Sequence, residues 1–360
     1  MTTQQVIDHA KVQAFMRKVM GDNASAAATV MASIGDRLGL FKELAQGPVT
    51  STELAEHTHI NERYAREWLS EMASASYLEY DAASQRFTLP PEHVPVLAQE
   101  GGPFFLGGAL ELLMGEIGPY NQLLQAFQHG GGVPMEAYDP STWEGMERFS
   151  AGMFEHLLVP MYLPAMPDVQ AKLERGADVA DIGCGHGRAL IKLAQTYPRS
   201  RYVGYDGFAP SIARATANAQ ETGVADRLRF EHRDVSQGLP EQYDVITTFD
   251  VVHDAVNPRG LLRAIREELR PDGRYICMEF SGSDKLEENA GFVGSLFYGV
   301  SVLYCMTTSL AGHGEGLGTL GLSETKLREL AAEVGFGNVR RIPTEVPFKV
   351  LYEITPIPIP

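Results

Sequence analysis

The stretch Asp178-Val-Ala-Asp-Ile-Gly-Cys-Gly-His-Gly187 decides the fold, because a short apolar run leads directly into three closely spaced glycines. The apolar run predicts a buried β-strand, and the segment HGRALIKLAQTY that begins at His186 predicts a helix. Glycine lets the backbone turn sharply and approach a ligand without a Cβ in the way. The stretch therefore predicts a strand, a ligand-binding turn and a helix in succession.

The alternation of strand and helix continues along the C-terminal half of the chain. The segments RYVGYD, LRFEHRD, YDVITTFD and GRYICMEF predict strands, and the helical segments PSIARATANAQE and PRGLLRAIREEL lie between them. This order predicts an α/β fold, a doubly wound Rossmann-like sheet of parallel strands that binds ligands at their carboxyl ends. The last segments, NVRRIPTEV and FKVLYEI, predict a C-terminal antiparallel hairpin.

The glycine spacing distinguishes two classes of ligand. A dinucleotide fingerprint that starts at Gly183 and Gly185 requires glycine or alanine at position 188, where this chain has Arg188. A nicotinamide-dependent dehydrogenase is therefore disfavoured. The spacing present is an acidic residue, Asp181, followed by alternate glycines that end at Gly187. That spacing is typical of a loop that binds S-adenosylmethionine.

Two further carboxylates follow strands of the predicted sheet. Asp206 ends the second strand, 19 residues beyond Gly187, where a carboxylate accepts hydrogen bonds from both ribose hydroxyls. Asp234 ends the third strand and is placed to accept from an adenine amino group; a loop-capping role is the alternative for both residues. We therefore predict a donor site formed by Asp181, Gly183, Gly185, Gly187, Asp206, Gly207, Asp234, Val235, Phe249 and Asp250.

The fourth strand runs into a pair of titratable residues, His253 and Asp254. A histidine near its unperturbed pKa of about 6.5 accepts a proton at neutral pH, and an adjacent carboxylate can orient it. We predict that His253 is a general base and that Asp254 assists it. The alternative is a structural histidine followed by an acidic residue at a helix start, before Asn257 and Pro258.

The N-terminal part predicts a winged helix. Thr50 and Asn61 are caps for two short helices, and two short strands flank the turn at 81–85. Over residues 50–90 there are seven acidic residues and three arginines, which argues against a helix that reads DNA. The chain as a whole carries a formal charge of −16, so binding to a phosphate backbone is disfavoured too. A dimerisation role is the preferred prediction, and a transcriptional regulator is the alternative.

Residues 289–314 contain no Asp, Glu, Lys or Arg, a length that raises the possibility of a membrane span. Glycines interrupt the segment, so we predict a helical insert instead, one that covers a small-molecule pocket. The predicted pocket residues are Phe297, Tyr298 and Tyr304. The glycine-rich, aromatic segment 99–170 is predicted to be a helical linker that contributes to the same pocket.

Length and composition limit the number of domains and the kinds of site that the chain can form. A chain of 360 residues is expected to form about two compact units. We predict a winged-helix-like dimerisation domain at 1–98, the helical linker at 99–170 and a ligand-binding domain at 171–360. The three cysteines are widely spaced, and no metal-ligand cluster accompanies them, so neither a disulfide framework nor a metal site is expected. The N-terminus has no readable secretory signal, which favours the cytoplasm.

Residues 177–355 resemble a class I S-adenosylmethionine-dependent methyltransferase. With its winged-helix-like N-terminal part, the whole chain is similar to small-molecule O-methyltransferases of bacteria and plants. The segments 307–310 (TTSL) and 314–318 (GEGLG) match one microbial group of these enzymes. The resemblance implies the donor site given above, a His-Asp pair that includes the catalytic base, and a dimer formed through the N-terminal part. It does not identify the acceptor, which we expect to be a small molecule methylated on oxygen or sulfur. A catalytically inactive partner that binds the donor is the remaining alternative.

Overall fold

The computed structural model describes residues 7–344, 346 and 348–357. The chain divides into two compact units, one that ends at Met114 and one that begins at Gly115. The predicted division at residues 98 and 170 is a finer one and stays a prediction. Residues 1–6, which belong to the predicted N-terminal domain, lie outside the described residues.

The N-terminal unit contains a winged helix, as predicted. Helix α4 follows α3, and strands β1 and β2 then pair antiparallel with Tyr80 opposite Phe87. Thr50 caps α3 in a reciprocal box with Glu53, and Asn61 caps α4 by accepting from the Arg63 N–H. The elements are α1 (His9–Arg37), α2 (Leu40–Leu44), α3 (Ser51–Thr58), α4 (Glu62–Ser74), β1 (Glu79–Asp81), β2 (Arg86–Thr88), α5 (Val94–Leu97) and α6 (Gly107–Ile117), the last of which contains the unit boundary.

The second unit is built on a seven-stranded sheet. Its order is β5-β4-β3-β6-β7-β9-β8; the first five strands are parallel, and β9 pairs antiparallel with both β7 and β8. The predicted parallel sheet and its C-terminal hairpin are therefore confirmed. Two residues of the predicted hairpin segment, Glu345 and Pro347, lie outside the described residues. The strands are β3 (Asp178–Ile182), β4 (Arg201–Asp206), β5 (Leu228–His232), β6 (Tyr243–Phe249), β7 (Leu269–Phe280), β8 (Phe336–Ile342) and β9 (Lys349–Pro356).

Helices cover both faces of this sheet and bury two apolar clusters. One cluster lies around Ile246, Leu262 and Tyr352, and the other around Val179, Leu190 and Met278. Burial of these side chains is the main force that holds helices against the sheet. The helices are α7 (Tyr120–His129), α8 (Ser141–Met153), α9 (Pro167–Arg175), α10 (Arg188–Thr196), α11 (Ala209–Glu221), α12 (Pro258–Glu268), α13 (Phe292–Val300), α14 (Met306–Ala311) and α15 (Glu324–Glu333).

Two wide helical turns of π type extend these helices. The first, Phe154–Tyr162, continues α8, and the second, Ser301–Cys305, joins α13 to α14. The helical stretch Phe292–Ala311 is long and apolar enough to cross a membrane by length and composition alone, with a mean hydropathy of 1.3. One face of it is buried, at Phe297, Tyr304 and Thr307, while Phe292 is exposed. The predicted helical insert is therefore present, and it is buried on one face only.

Candidate active site

The glycine turn after β3 has the conformation that the sequence motif requires. Gly183, Gly185 and Gly187 all have positive φ, at 65°, 50° and 80°. A Cβ at Gly187 would overlap the Phe230 ring, and one at Gly183 would overlap Val251. A Cβ at Gly185 would meet nothing within 4 Å. The turn is thus packed at both ends and open at its middle, which leaves the backbone at Gly185 accessible to a ligand.

Asp206 lies directly beside this turn, at the carboxyl end of β4. Its carboxylate accepts hydrogen bonds from the backbone N–H groups of Gly185 (2.9 Å) and Phe208 (2.8 Å). Burial raises the pKa of Asp206, and these two N–H groups oppose the shift. Gly207, the next residue, is exposed and has open space at its Cβ position. The structure therefore brings together the predicted glycine loop and the predicted ribose-binding carboxylate.

Asp181 is buried beneath the turn rather than in the open site. The Thr247 hydroxyl donates to it at 2.6 Å, and burial raises its pKa to about 7. The side chain is 2% exposed. Asp181 can therefore support the glycine turn from below, and its predicted role in donor binding stays a prediction.

The side chains that follow the third strand, β5, are less involved in the candidate site than those that follow β3 and β4. Asp234 is exposed, and its carboxylate accepts from the Ser236 N–H (3.0 Å) and hydroxyl (2.7 Å). Val235 is 5% exposed and packs in the apolar core. The side chain of Asp234 thus caps the turn at 235–237, which was the alternative given for this residue. The contact of Asp234 and Val235 with a donor base stays a prediction.

A buried carboxylate that the sequence did not single out holds the glycine turn from the other side. Glu147 of α8 lies 2.6 Å from His186 Nδ1 and accepts from Arg188 Nε at 2.6 Å. It also accepts from the Asn218 amide at 3.1 Å. Burial acts to raise the pKa of Glu147, but His186 and Arg188 outweigh it and lower the pKa to about 2. Arg188, which excludes the dinucleotide fingerprint, thus ties the turn to α8.

The end of β6 carries a strained acidic residue. Asp250 is a non-glycine residue with a φ of 59°, and its carboxylate pairs with the ammonium group of Lys349, which is 4% exposed. The Lys349 Nζ also lies 3.3 Å from the centroid of the Phe280 ring. Oδ1 of Asp250 is buried and has no hydrogen-bond partner in the described part of the chain. The neighbouring Phe249 contacts the Phe154 ring, with centroids 5.1 Å apart.

The structure pairs His253 with Glu279 rather than with Asp254, and the predicted catalytic roles of His253 and Asp254 stay predictions. The hydrogen-bond partner of His253 is Glu279 at the end of β7, whose Oε2 lies 2.6 Å from Nδ1, and Cys305 lies near the ring. Burial acts to lower the pKa of His253, and Glu279 reverses the shift and raises it. The next residue is Asp254, and adjacent residues on a loop need not face each other. Burial raises its pKa to about 7, against the opposing charge of His253.

The three predicted pocket residues lie in different places. The Phe297 ring contacts Phe280, with centroids 4.7 Å apart, and Phe280 in turn contacts the His253 ring at 5.5 Å. Tyr304 contacts Tyr138, with centroids 5.1 Å apart. Tyr298 is 41% exposed, and its hydroxyl accepts from the Asn289 amide at 2.8 Å. Phe297 and Tyr304 therefore face the interior, and Tyr298 lies on the outer side of the same helical stretch.

Sequence reasoning missed Glu279, Glu147 and Lys349. Glu279 was detectable, because it ends a strand next to the one that leads to His253, and such ends meet at one edge. Glu147 and Lys349 carry no local motif, so only the tertiary structure reveals them. Within the described residues, no group of three His, Cys, Asp or Glu side chains is placed to hold a metal ion.

Comparison with known proteins agrees with this geometry. Residues 26–99 match the family described as Rv2258c-like winged HTH domain, and residues 180–275 match the family described as Methyltransferase domain. The chain thus combines an N-terminal winged helix-turn-helix domain with a methyltransferase domain. Both parts of the predicted resemblance are confirmed.

Several curated relatives that match part of this chain are named O-methyltransferases. The chain is 26% identical over 158 residues to a ubiquinone biosynthesis O-methyltransferase of Cereibacter sphaeroides (strain KD131 / KCTC 12085), a match that covers 44% of this chain and 59% of that protein. It spans even less, 47%, of the same-named protein of Pseudomonas syringae pv. syringae, with 29% identity over 111 residues, or 31% of this chain. Similarity to these relatives therefore covers only about half of each protein.

The solved structures cover the whole chain. Mitomycin 7-O-methyltransferase MmcR aligns with a TM-score of 0.70 and 20% identity, over 97% of this chain and 100% of that one. Human N-acetylserotonin methyltransferase in complex with SAM aligns with a TM-score of 0.69 and 16% identity, over 99% of both chains. At these identities the likeness establishes the fold alone, which this chain shares with those two proteins.

Proposed function

We propose that this protein is an S-adenosylmethionine-dependent methyltransferase that moves a methyl group to an oxygen or sulfur of a small molecule, without a metal ion. The observation that carries the proposal is the glycine turn, open at Gly185, with the Asp206 carboxylate beside it. Such a turn accepts an adenosyl group closely, and a carboxylate at the next strand end accepts from ribose hydroxyls. The unpartnered Oδ1 of Asp250 adds an acceptor at the same edge of the sheet.

The residues present fit the donor. Asp206 would bind the ribose, the backbone at Gly185 would approach the adenosyl group, and Asp250 would face its amino-acid part. When bound, the donor supplies a methyl group already activated by a positively charged sulfur. The protein is left with alignment and exclusion of water, for which positioning supplies about 7 to 11 kcal/mol of barrier reduction.

His253 is proposed as the base that takes the proton from the acceptor hydroxyl or thiol. Glu279 supports this role because its carboxylate fixes the ring through Nδ1 and leaves the other ring nitrogen to face a partner. In this proposal that partner is the acceptor. A positioned base contributes about 100- to 10,000-fold. Asp254, in this proposal, faces the reacting groups rather than His253.

The test is a screen of phenols, carboxylates and thiols with a donor labelled in its methyl group. Methyl transfer to at least one small molecule is the expected result; donor binding without any turnover would favour an inactive partner instead. With an active acceptor, His253→Ala is expected to lower kcat by about 100-fold or more. The wild-type rate should rise with pH as His253 loses its proton. An unchanged pH profile in His253→Ala would remove the base role and leave only positioning.

We also propose that the protein is a homodimer formed through α1. The first two turns and the middle of this helix, residues 9–27, are exposed, and they carry an apolar stripe with helical spacing. The stripe consists of Val12, Phe15, Met16, Val19 and Met20, each at least 40% exposed. Light scattering should give a dimer mass that falls to a monomer mass in Phe15→Ser. A monomeric wild-type protein would contradict the proposal.

DNA binding is the weaker alternative for the winged helix. On α4 the arginines are paired with carboxylates of the same helix: Arg66 with Glu62 at 2.5 Å, and Arg63 with Glu67. Arginines that are paired in this way are less available to phosphates or bases. We therefore propose a small-molecule enzyme of the cytoplasm that does not act on nucleic acid or membranes. A gel shift with a specific duplex at physiological salt would support the regulator instead.

A further inference from the structure

Two aromatic rings stack on each other next to the Asp206 carboxylate. The Phe208 ring lies nearly parallel to the Trp143 ring of α8, with centroids 4.4 Å apart and an angle of 18° between the planes. The backbone N–H of Phe208 donates to the Asp206 carboxylate at 2.8 Å. Both rings are half-buried and not sealed in the core. The carboxylate that we propose to bind the ribose therefore has an aromatic pair as its immediate neighbour.

Phe208 occupies a position that normally suits a polar residue. It is the N-cap of α11, where Ser, Thr, Asp or Asn usually accepts from the free N–H groups of the first turn. A phenyl ring cannot accept in this way, so the local structure of α11 does not explain a phenylalanine here. Exceptions of this kind are expected where function or tertiary packing requires them. The stacking contact with Trp143 is such a requirement.

The chain around Phe208 also joins the ends of β4 and β5. The Arg233 N–H donates to the Asp206 carbonyl at 2.9 Å, and His232 Nε2 lies 2.9 Å from the Gly207 carbonyl oxygen. In the proposed donor site the ribose binds at the end of β4 and the amino-acid part lies near Asp250, at the end of β6. The sheet order β5-β4-β3-β6 then places the adenine on the β5 side of the ribose, which is the side of Phe208.

The carboxylate that the sequence predicted for the adenine is engaged elsewhere. Asp234 accepts from the N–H and the hydroxyl of Ser236 in its own turn, and it is exposed to water. An exposed carboxylate that exchanges one polar partner for another gains little from an adenine amino group. Stacking is the interaction that remains for the base.

Trp143 is fixed on its other side. It packs against the apolar cluster that contains Tyr138, and Glu147, one helical turn further along the same face of α8, pairs with His186 of the glycine turn at 2.6 Å. A separation of 4.4 Å between the stacked rings leaves no room for a third ring between them. An added ring can therefore extend the stack only on the Phe208 side.

We propose that the adenine of the donor stacks on Phe208, and that Trp143 is a positioning residue that holds the Phe208 ring for it. Stacking on an aromatic side chain typically strengthens the binding of a base by about 10-fold or more. Asp234 then contributes little to the binding of the base. This inference rests on the proposed function and specifies how its donor is held.

The first test is calorimetric titration of wild-type and variant proteins with S-adenosylhomocysteine. Trp143→Leu keeps an apolar side chain but removes the ring, and it should lower the affinity about 10-fold, as should Phe208→Leu. Trp143→Phe keeps a ring and should stay within about 3-fold. Phe127→Leu replaces an exposed aromatic residue of α7 and should stay within about 2-fold. Wild-type affinity in Trp143→Leu, or equal losses in Trp143→Leu and Trp143→Phe, would overturn the proposal.

Tryptophan fluorescence gives a second readout that a purely structural role would not move. The chain has two tryptophans, and the other one, Trp68, belongs to the N-terminal unit and is 5% exposed. Saturation with S-adenosylhomocysteine should change the emission of the wild-type protein, and the change should be absent in Trp143→Phe. No change in the wild type, or a change that persists in Trp143→Phe, would overturn the proposal.

The two proposals fail in different ways. If a thermal melt shows that Trp143→Leu is unfolded, Phe208→Leu and the fluorescence of Trp143→Phe decide. A folded wild-type protein that binds no S-adenosylhomocysteine would count against the proposed function itself. Binding without the expected losses or the change in emission would count only against the stacking of adenine on Phe208.

Discussion

The proposed donor side and the proposed acceptor side of the candidate active site differ in how the chain builds them. The proposed donor residues lie within 178–254, at or just after the carboxyl ends of parallel strands, which meet at one edge of the sheet. The proposed acceptor side combines residues far apart in sequence, such as His253, Glu279 and Phe297. Local motifs therefore predict the donor residues, whereas the proposed acceptor residues come together only on folding.

The largest expected effect is the loss of donor affinity when Asp206 is replaced. Asp206→Ala removes a carboxylate that accepts two backbone N–H groups and would accept two ribose hydroxyls. Hydrogen bonds to charged groups contribute about 1.5 to 3 kcal/mol each, so we expect S-adenosylhomocysteine affinity to fall at least 100-fold, or about 3 kcal/mol. Calorimetry measures the loss, and a thermal melt confirms that the variant is folded.

Asp234→Ala is the matched control for that prediction. Its carboxylate is exposed and bound to Ser236 of its own turn, so the loss should stay below about 10-fold. An equal or larger loss of affinity for Asp234→Ala would mean that the main contact with the donor is made after β5 and not at the end of β4.

The two ends of the glycine turn provide the next test. Gly187→Ala is expected to lower the free energy of unfolding by about 3 kcal/mol, because a positive φ and overlap with the Phe230 ring act together. Gly185→Ala meets open space and should cost only about 1 kcal/mol. Chemical denaturation measures both values. Equal losses in the two variants would mean that the turn is not open at its middle.

Glu147 gives a prediction that depends on pH. Its pKa in the folded protein is lowered from 4.5 to about 2, so its stabilising contribution is complete above pH 4.5 and is lost as the pH falls toward 2. Glu147→Gln is expected to lower the free energy of unfolding by about 2 kcal/mol at pH 7. The difference from wild type should shrink by about 1 kcal/mol at pH 3.5, as measured by urea unfolding at both pH values. A pH-independent difference would show that lost packing, not charge, causes the effect.

The smallest expected effect is at Tyr298, on the exposed side of the helical insert. Tyr298→Ala removes one exposed hydrogen bond, and we expect a loss of about 0.5 kcal/mol in stability. Acceptor binding should stay within about 2-fold. A loss of more than 10-fold in acceptor affinity would mean that Tyr298 contacts the acceptor, as the sequence predicted.

The sequence predicted the fold well because its evidence is local. The winged helix follows from caps at Thr50 and Asn61, and the sheet follows from alternating strands and helices. The glycine turn was predicted at the level of single residues, because glycine spacing reports a backbone conformation directly; its role in donor binding stays a prediction. Asp206 was predicted for a related reason, since strand ends of a parallel sheet meet at one edge.

The surroundings of His253 and of the helical insert were predicted in less detail, for a physical reason. The orientation of His253 depends on Glu279, which is 26 residues away and reaches it through strand pairing. Tyr298 and Tyr304 belong to one helical stretch, but a wide helical turn lies between them, so equal aromatic character did not mean equal burial. No spacing rule distinguishes such residues before the chain is folded.

The most direct measurement is calorimetric titration of the purified, folded wild-type protein with S-adenosylmethionine and with S-adenosylhomocysteine. The account predicts saturable binding of both ligands at one site per chain, and loss of that binding in Asp206→Ala. Absence of any heat with either ligand, from protein that melts cooperatively, would contradict it.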